Sequence, residues 1–395
     1  NIIGNVPHLR FPEFSGEWNK YTINDLATVV GGGTPDTTVK SYWGGDIQWF
    51  TPSEIGKNKY VDFSKRTITR DGLDNSSAKL LPLHTILLSS RATVGECSIA
   101  SNECTTNQGF QSLIAKQCNI DFLYYLIQTK KKDLIRNACG STFLEISANE
   151  IRKIKVAVPV QNEQEQIAKL LSLIDERIAT QNKIIEDLKK LKSAISKYLF
   201  ARKDLLETTI CLSNIATLKN GYAFQSGKYN ALGKWKILTI TNVPGERYIN
   251  DEDCNCIINL PNDIQDHQVL KEGDILISLT GNVGRVSLCK NGNYLLNQRV
   301  GLLQLAKNVN QEFLYQILSS QRFENSMIAC GQGAAQMNIG KGDVENYVLP
   351  YSSNGNNILF AAKILHSYDE CIINELRRLT LLTMQKQYLL TQMFI

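Results

Sequence analysis

Residue types that carry out catalysis are present in this chain, but they do not stand at the spacings that catalysis requires. Histidine occurs four times in 395 residues, at His8, His84, His267 and His366. None of these lies at a metal-ligand or catalytic-triad spacing from another candidate group. The run from Gly221 to Lys228 comes closest to a phosphate-binding loop. It is one residue too long, however, and continues into Tyr229 where Mg²⁺ needs a Ser or Thr hydroxyl.

A base-modifying active site is not predicted either. Enzymes that methylate an amino group of a DNA base normally carry an Asn/Asp-Pro-Pro-aromatic loop, and none of the nine prolines is adjacent to another. The ten cysteines form no CxxC pair, and the closest two are Cys254 and Cys256, so neither structural zinc nor a redox dithiol is expected. We therefore predict a chain with no catalytic residues, no metal and no cofactor of its own.

Amide, hydroxyl, aromatic and arginine side chains are instead concentrated in turn-rich loops. Amides and hydroxyls can read base edges, arginine can pair with guanine through two hydrogen bonds, and lysine can hold phosphates. In the first half of the chain the candidate DNA-binding residues are Gly32, Thr34, Pro35, Trp43, Trp49, Thr51, Arg91, Thr93, Asn107, Gln108, Lys130 and Lys131. In the second half they are Tyr222, Phe224, Lys236, Thr239, Thr241, Asn242, Thr280, Asn282, Asn297, Gln298 and Arg299.

These candidates also have structural interpretations, and the overall composition does not decide between them. Trp43 and Trp49 are more often core residues, and the lysine run that begins at Lys130 is more often a solvated helix face. The net charge of +5 neither requires nor excludes a nucleic-acid partner. No apolar run is long enough to span a bilayer and the polar start is not a signal peptide, so we expect a cytoplasmic protein without a membrane partner.

The order of motifs in the first half of the chain is repeated in the second half. The matching segments are separated by 189 to 194 residues, too long a period for a solenoid. They are Leu83–Ser89 with Glu272–Ser278, Asn107-Gln108 with Asn297-Gln298, Phe122–Tyr124 with Phe313–Tyr315, Gly140–Ile146 with Gly333–Ile339, and Asp175-Glu176 with Asp369-Glu370. The apolar runs Thr85–Ser89 and Asp274–Ser278 are of strand length. The repeat predicts two similar domains of mixed α/β structure.

Each domain is followed by a long amphipathic helix. Between Ile167 and Leu199, apolar residues alternate at spacings of four and three, and eight of the ten seam positions are apolar. The same pattern returns from Ala361 to Met393. A helix over Glu163–Phe200 would be about 57 Å long.

The polar seam residues predict how the two helices pair. They are Gln181 and Lys192 in the first helix and Glu375 and Lys386 in the second. A parallel pair would bury Lys192 against Lys386, which is unfavourable. An antiparallel pair can place Lys192 opposite Glu375 and Gln181 opposite Lys386, and we predict this register.

Several motifs closely resemble those of the specificity subunits of type I restriction–modification enzymes, and the resemblance covers nearly the whole chain. They are Pro7-x-Leu9-Arg10-Phe11-Pro12-Glu13-Phe14 with Trp18, Gly32-Gly33-Thr34-Pro35, Trp43-Gly44-Gly45-Asp46-Ile47, Asn107-Gln108-Gly109, and Pro159-x-x-x-Glu163-Gln164-x-Gln166-Ile167-Ala168. The last motif is lost at the start of the second helix, where Asn356-Asn357-Ile358 stands instead. Equivalence there depends on the Asp-Glu pair and the heptads.

The resemblance implies an α+β fold with two α/β target-recognition domains in a tandem pseudo-two-fold repeat, separated by two long helices that form an antiparallel coiled coil. The corresponding boundaries are 1–162 and 204–353 for the recognition domains, and 163–203 and 354–395 for the helices. In this family each domain reads one half of a split DNA site, and the helices act as a ruler between the halves.

The resemblance also implies partners that carry out the chemistry. They are double-stranded DNA, two methylation subunits that use S-adenosylmethionine, and two restriction subunits that use ATP and Mg²⁺. Helix faces around Glu176–Ile184 and Glu370–Arg378 would dock the methylation subunits.

Two alternative functions stay open from the sequence. One is a stand-alone adenine DNA methyltransferase with a divergent motif, which would bind S-adenosylmethionine by itself. The other is a coiled-coil scaffold that makes no sequence-specific contact with DNA and would select nothing from a randomised DNA pool.

Overall fold

A computed structural model describes residues 5–140, 144–332 and 337–395 of the chain. Parts of the predicted match between Gly140–Ile146 and Gly333–Ile339 therefore lie outside the described residues. The chain divides into two compact units, 1–182 with 378–395 and 183–377. The division falls inside both long helices. Over the described ranges, no helix is long and apolar enough to cross a membrane.

The described residues of the first unit form ten strands in three sheets. The strands are β1 (Asn19–Thr22), β2 (Ala27–Gly31), β3 (Trp43–Phe50), β4 (Tyr60–Val61), β5 (Arg66–Ile68), β6 (Ile86–Leu88), β7 (Cys97–Ala100), β8 (Cys104–Thr106), β9 (Gln111–Ala115) and β10 (Lys155–Val158). The sheet orders are β2-β9-β6-β7-β4, β5-β3-β8 and β1-β10. The helices are α1 (Ile23–Leu26), α2 (Arg70–Asp74), α3 (Ile120–Thr129), α4 (Lys131–Arg136) and α5 (Ala148–Lys153), followed by the start of α6 (Gln161–Ala201).

The second unit repeats this plan. Its strands are β11 (Thr208–Cys211), β12 (Ala216–Asn220), β13 (Trp235–Leu238), β14 (Asn255–Ile257), β15 (Val269–Leu270), β16 (Ile275–Ser278), β17 (Val286–Leu288), β18 (Tyr294–Leu296), β19 (Val300–Leu305) and β20 (Val348–Tyr351). The sheet orders are β12-β19-β16-β17, β14-β13-β18-β15 and β11-β20. The helices are α7 (Gln311–Leu318), α8 (Gln321–Gly331), α9 (Lys341–Glu345) and α10 (Gly355–Gln392).

The duplication is visible in the strand pairing. β6 and β16, the two strands predicted from apolar runs, are buried along their whole lengths and lie at equivalent places in their sheets. β3 pairs with β8 in parallel, and β13 pairs with β18 in parallel. Each of these parallel pairs joins strands that are far apart in sequence, so the same long-range connection occurs in both domains. This shared topology confirms the predicted tandem α/β repeat.

The motif that opens α6 is explained by the residues it contacts. Glu163 is fully buried and accepts hydrogen bonds from the Arg10 guanidinium at 2.7 and 2.8 Å and from the Trp18 indole at 3.3 Å. The Gln164 side chain accepts from the Asn119 backbone at 3.0 Å and donates to the Pro159 carbonyl at 2.9 Å. These contacts fix the start of α6 to the first domain, since a buried carboxylate needs compensating partners.

The long helices pack antiparallel, as predicted. In the second unit, Lys192 Nζ lies 2.5 Å from Asp369 Oδ1, and the Asn357 side chain donates to the Leu205 carbonyl at 3.0 Å. Residue numbers thus rise along α6 as they fall along α10. In the first unit, Lys386 Nζ lies 2.7 Å from Asp175 Oδ1.

The predicted register of the helices is wrong. Lys192 pairs with Asp369 instead of Glu375, and Lys386 pairs with Asp175 instead of Gln181, so each partner lies six residues earlier in the chain. The predicted register was based only on seam positions, which are the residues that face the opposite helix. Asp175 and Asp369 each follow a seam position, and donors from the recognition domains also hold them: the Tyr125 hydroxyl at 2.6 Å and the Gln316 amide at 2.6 Å.

Candidate nucleic-acid interface

An Asn-Gln turn ends one strand in each domain and turns the next side chains outward. After β8, the Asn107 side-chain oxygen accepts from the Gly109 backbone N–H at 2.8 Å. After β18, the Asn297 oxygen accepts from the Arg299 N–H at 3.1 Å. The asparagine side chain closes the turn on itself. Gln108, Gln298 and Arg299 are consequently exposed.

A glycine allows a second loop to pack directly on this turn. A β-carbon on Gly32 would lie 2.0 Å from the Asn107 carbonyl oxygen, and one on Gly221 would lie 2.2 Å from that of Asn297. Both positions therefore require glycine. In the first domain the Thr34 hydroxyl donates to Gln108 Oε1 across this contact. In the second domain the Gln298 N–H donates to the Tyr222 carbonyl at 3.0 Å.

A third loop, which follows β6 or β16, completes the cluster. The Ser90 N–H donates to the Gly109 carbonyl at 2.8 Å, and the Leu279 N–H donates to the Arg299 carbonyl at 3.0 Å. These bonds bring Arg91 next to the first Asn-Gln turn and Thr280 next to the second. We call the three loops of each domain the reading cluster. Its loops carry Thr34, Arg91 and Gln108 in the first domain and Tyr222, Thr280 and Gln298 in the second. Each reading cluster gathers candidate residues from three separate sequence segments.

A polar groove opens at the reading cluster of the second domain, with a volume of about 510 Å³. Six polar residues line it: Asn220, Thr280, Gln298, Arg299, Asn338 and Lys341. Arg299 is exposed, and its guanidinium forms no hydrogen bond or ion pair with any residue of the described ranges. Lys341 Nζ lies 3.7 Å from Glu345, and the buried Thr280 hydroxyl has no hydrogen-bond partner among the described residues.

The groove offers the functional groups that bind nucleic acid. A free guanidinium can bind a phosphate or the edge of guanine, and amides and hydroxyls can donate to and accept from base edges. Among the described residues, no group of three or more His, Cys, Asp or Glu could hold a metal ion. The arrangement is suited to recognition of a charged, hydrogen-bonding ligand.

The model of one protein family matches both halves of the chain. Its description is the type I restriction modification DNA specificity domain, and it matches residues 15–190 and again residues 207–383. This chain belongs to that family.

Named relatives agree with this assignment. The chain is 38% identical over 192 residues to the type I restriction enzyme MjaIX specificity subunit of Methanocaldococcus jannaschii, which covers 47% of this chain and 44% of the relative. It is 28% identical over 206 residues to the EcoR124I/EcoR124II specificity subunit of Escherichia coli, half of each chain. The matched segment thus spans about half the length of these curated relatives.

A solved structure shows that the fold extends over the whole chain. The specificity subunit of a type I restriction-modification system from M. genitalium superposes with a TM-score of 0.57 over 99% of both chains, at 18% sequence identity. The likeness at this identity concerns the fold alone. It confirms the predicted fold class along the full length of this specificity-family chain.

Several candidates of the first domain are accessible. Arg91 is exposed and pairs with Glu145 at 2.7 Å, and Thr93 is exposed beside it with its hydroxyl 3.0 Å from that of Ser89. Trp43 is half-buried, with the Arg66 guanidinium 3.6 Å from its ring centroid. A surface ion pair such as Arg91–Glu145 contributes little stability, so Arg91 can exchange its partner at low cost.

Other candidates of the first domain have structural roles, so direct DNA contact by them is not supported. Trp49 is 5% exposed, and its indole donates to the Gly33 carbonyl at 2.9 Å. Pro35 is buried, and Thr51 accepts and donates within the cap of the turn Pro52–Glu54. Trp49 and Thr51 therefore stabilise the loops that form the reading cluster.

The two lysines predicted to contact phosphate are also bound to other residues of the protein. Lys130 donates to the Ile395 carbonyl at 2.7 Å, and burial lowers the pKa of its ammonium. Lys131 pairs with Glu96. The run of lysines suggested one solvated face, but α3 ends at Thr129 and α4 begins at Lys131, and the two lysine side chains have different partners.

In the second domain the accessible candidates are Thr241, Asn282, Gln298 and Arg299. Tyr222 is half-buried and donates to Asp263 at 2.8 Å, which raises the pKa of the phenol. Its ring lies 4.8 Å from that of Phe224. Lys236 pairs with Asp251 at 2.8 Å, and that lysine holds the pKa of the carboxyl well below its usual range.

Two asparagines of the second domain do not face solvent, which corrects the prediction of direct contact. Asn242 is 4% exposed; its oxygen accepts from the Thr239 N–H at 2.8 Å, and its amide donates to the Asn250 carbonyl at 2.9 Å. Asn297 is 8% exposed because its side chain closes the Asn-Gln turn. Both satisfy buried backbone, the alternative open to an asparagine in a loop.

Sequence reasoning missed three cationic or amide side chains at these loops. Asn338 and Lys341 line the groove, and Arg66 stacks on Trp43. The bridge between Thr280 and Asn338 repeats the bridge between Arg91 and Glu145. The repeat around Gly333–Ile339 was the only signal for Asn338, and nothing in the sequence indicated that α9 starts at the groove.

Proposed function

We propose that this chain is the sequence-specific DNA-binding subunit of a type I restriction–modification complex. In this proposal each recognition domain reads one half of a split duplex site through its reading cluster. The observation that carries the proposal is the groove at the second reading cluster, where the Arg299 guanidinium, unpaired within the described part of the chain, lies beside the exposed Gln298 amide. Equivalent loops in the first domain support the same role for Gln108 and Arg91.

The proposed complex assigns all chemistry to other chains. Two methylation subunits would use S-adenosylmethionine, two restriction subunits would use ATP and Mg²⁺, and this chain would be non-catalytic. A cytoplasmic location follows from the proposed DNA partner.

Exposed apolar residues on the long helices support docking of the methylation subunits. On α6, Ile184, Leu191 and Tyr198 stand at intervals of seven and are 41%, 46% and 63% exposed. On α10, Leu381 and Met384 are 65% and 63% exposed. Apolar side chains at this spacing form a stripe that a partner helix could cover.

The test is selection from a randomised duplex pool by the full chain together with its methylation subunits. We expect a consensus of two short conserved blocks separated by a fixed spacer. Recovery of unselected sequences would refute the proposal, and tight binding of S-adenosylmethionine to this chain alone, measured by calorimetry, would favour a stand-alone methyltransferase.

Substitution of Arg299 tests the assignment of the groove. Arg299→Ala should cost about 1–3 kcal/mol of binding and relax only one block of the consensus, because a lost arginine–base contact affects one position. The matched control is Arg322→Ala, an exposed arginine on α8 of the same unit. Uniform weakening on all sequences would show that Arg299 holds phosphate, and relaxation of both blocks would contradict one domain per half-site.

A further inference from the structure

A buried arginine joins a loop of the second recognition domain to two helices. The Arg247 side chain is 8% exposed. Its guanidinium donates to both Glu312 oxygens at 2.9 and 2.6 Å and to Asp369 Oδ2 at 2.9 Å, and it lies 3.0 Å from His366 Nδ1. Glu312 is in the first turn of α7, whereas His366 and Asp369 are on α10. The two carboxylates and the fork geometry of arginine make this a specific attachment.

The first domain has a lysine at the equivalent backbone position. The Lys59 carbonyl accepts from the Ile99 N–H at 2.7 Å, as the Arg247 carbonyl accepts from the Leu288 N–H at 2.8 Å. Lys59 is 9% exposed, and its ammonium lies 2.7 Å from Asp121 in the first turn of α3 and 2.6 Å from the Ser172 hydroxyl on α6. One cation in each unit thus connects equivalent loops to equivalent helices, α3 and α6 in the first unit and α7 and α10 in the second.

Both cations belong to networks that include the helix pair. In the second unit Asp369 accepts from Arg247 and also from Lys192 of α6. In the first unit Lys59 lies 4.9 Å from the Tyr125 ring centroid, and the Tyr125 hydroxyl donates to Asp175, which pairs with Lys386. Each network therefore connects a recognition-domain loop to both long helices within its own unit.

The loop that carries Arg247 is also connected to the reading cluster. The Asn242 amide and carbonyl bond to the Asn250 carbonyl and N–H at 2.9 and 3.0 Å, which closes the loop around Arg247. Asn242 caps the end of β13, where the Leu238 carbonyl accepts from the Asn297 N–H at 3.2 Å. Hydrogen bonds, together with the short chain segments between them, thus connect the helix pair to the turn that presents Gln298 and Arg299.

We infer that Arg247 and Lys59 are positioning residues that align each reading cluster on the helices and thereby fix the spacer length that the protein accepts. This inference rests on the proposed function. Neither residue needs to touch DNA. Loss of either cation would loosen its domain on the helices while the base-reading side chains stay intact, so preference within each half-site would persist and spacing would relax.

The experiment compares full-chain variants with their methylation subunits in selection from a duplex pool with random bases. Arg247→Met removes the charge and keeps an aliphatic side chain, and Lys59→Met is the same change in the first domain. We expect sites whose spacer is one base pair longer or shorter to rise by about tenfold among the selected sequences, the change that 1.4 kcal/mol produces. Arg247→Lys should recover part of the wild-type spacing, because Lys59 shows that an ammonium can occupy this position.

The matched control is Arg285→Met, which breaks a partly exposed pair with Glu324 in the same unit and should leave the spacer unchanged. Unchanged spacing in both folded Met variants would overturn the inference, as would lost base preference at unchanged spacing. If only one of the two Met variants folds, the spacing selected by that folded variant decides. If neither folds, both residues are structural and the inference fails. If the wild-type chain selects no split site, the proposed function itself fails, which is a separate result.

Discussion

The turn after β6 and after β16 requires a left-handed residue, and the two domains supply different ones. Gly281 has φ +70° in the second domain, whereas Ala92 has φ +63° in the first. A left-handed conformation costs a residue with a β-carbon roughly 1–2 kcal/mol, and glycine avoids this cost. The turn is part of the reading cluster in both domains, so the strain at Ala92 is held beside Arg91.

Replacing Ala92 should therefore stabilise the first unit. We expect Ala92→Gly to raise the free energy of unfolding by about 1 kcal/mol, less than the full strain because glycine is also freer in the unfolded chain. Urea unfolding of both proteins measures the difference. Gly281→Ala is the reciprocal control and should be destabilising. A lower stability of Ala92→Gly would show that this turn is not left-handed in solution.

At the scale of elements, the long helices show what a heptad pattern can and cannot specify. The seam of apolar residues predicted both helices, and its polar positions predicted their antiparallel direction. It did not predict the register, because Asp175 and Asp369 lie beside the seam and their extra hydrogen-bond donors come from α3 and α7. Those donors are distant in sequence, and no pattern within the helix reports them.

A double-mutant cycle on Asp175 and Lys386 tests the observed register. Their side chains are 18% and 19% exposed, so the pair is screened less than a surface pair. We expect Asp175→Asn and Lys386→Met to show a coupling energy of about 1–2 kcal/mol in chemical denaturation. The control cycle uses Glu186 and Lys190, an exposed pair on α6 that should couple by about 0.3–0.5 kcal/mol. A coupling no larger than that of the control would argue against the register.

At the scale of the whole molecule, each compact unit is assembled from separated stretches of sequence. The first unit takes its last segment, 378–395, from the far end of the chain. Phe394 is 6% exposed and stacks on Phe122 with ring centroids 5.2 Å apart. The Phe122 ring also contacts Trp18 at 6.1 Å. The predicted boundaries at 162, 203 and 353 follow the sequence repeat, whereas the packing divides both helices, and those boundaries stay predictions.

The discontinuous first unit has a measurable consequence. Phe394→Ala should destabilise the first unit by about 3–5 kcal/mol, the range for removing a buried aromatic side chain. Hydrogen exchange should therefore accelerate in β6 and β9 and stay unchanged in β16 and β19. Met384→Ala, at an exposed position of the same helix, is the control. Equal acceleration in both sheets would show that the two units unfold as one.

The sequence by itself determined the duplicated plan, the two long antiparallel helices, the buried strands β6 and β16 and the family. Periodicity, apolar runs and repeated motifs are local signals, and each describes the segment in which it occurs. Tertiary structure alone decided that Trp49 and Asn242 lie inside, that Lys130 binds a backbone carbonyl, and that Asn338 and Lys341 join Arg299 at one groove. The physical reason is that burial and pairing depend on atoms brought close by folding, and residues far apart in the chain supply those atoms.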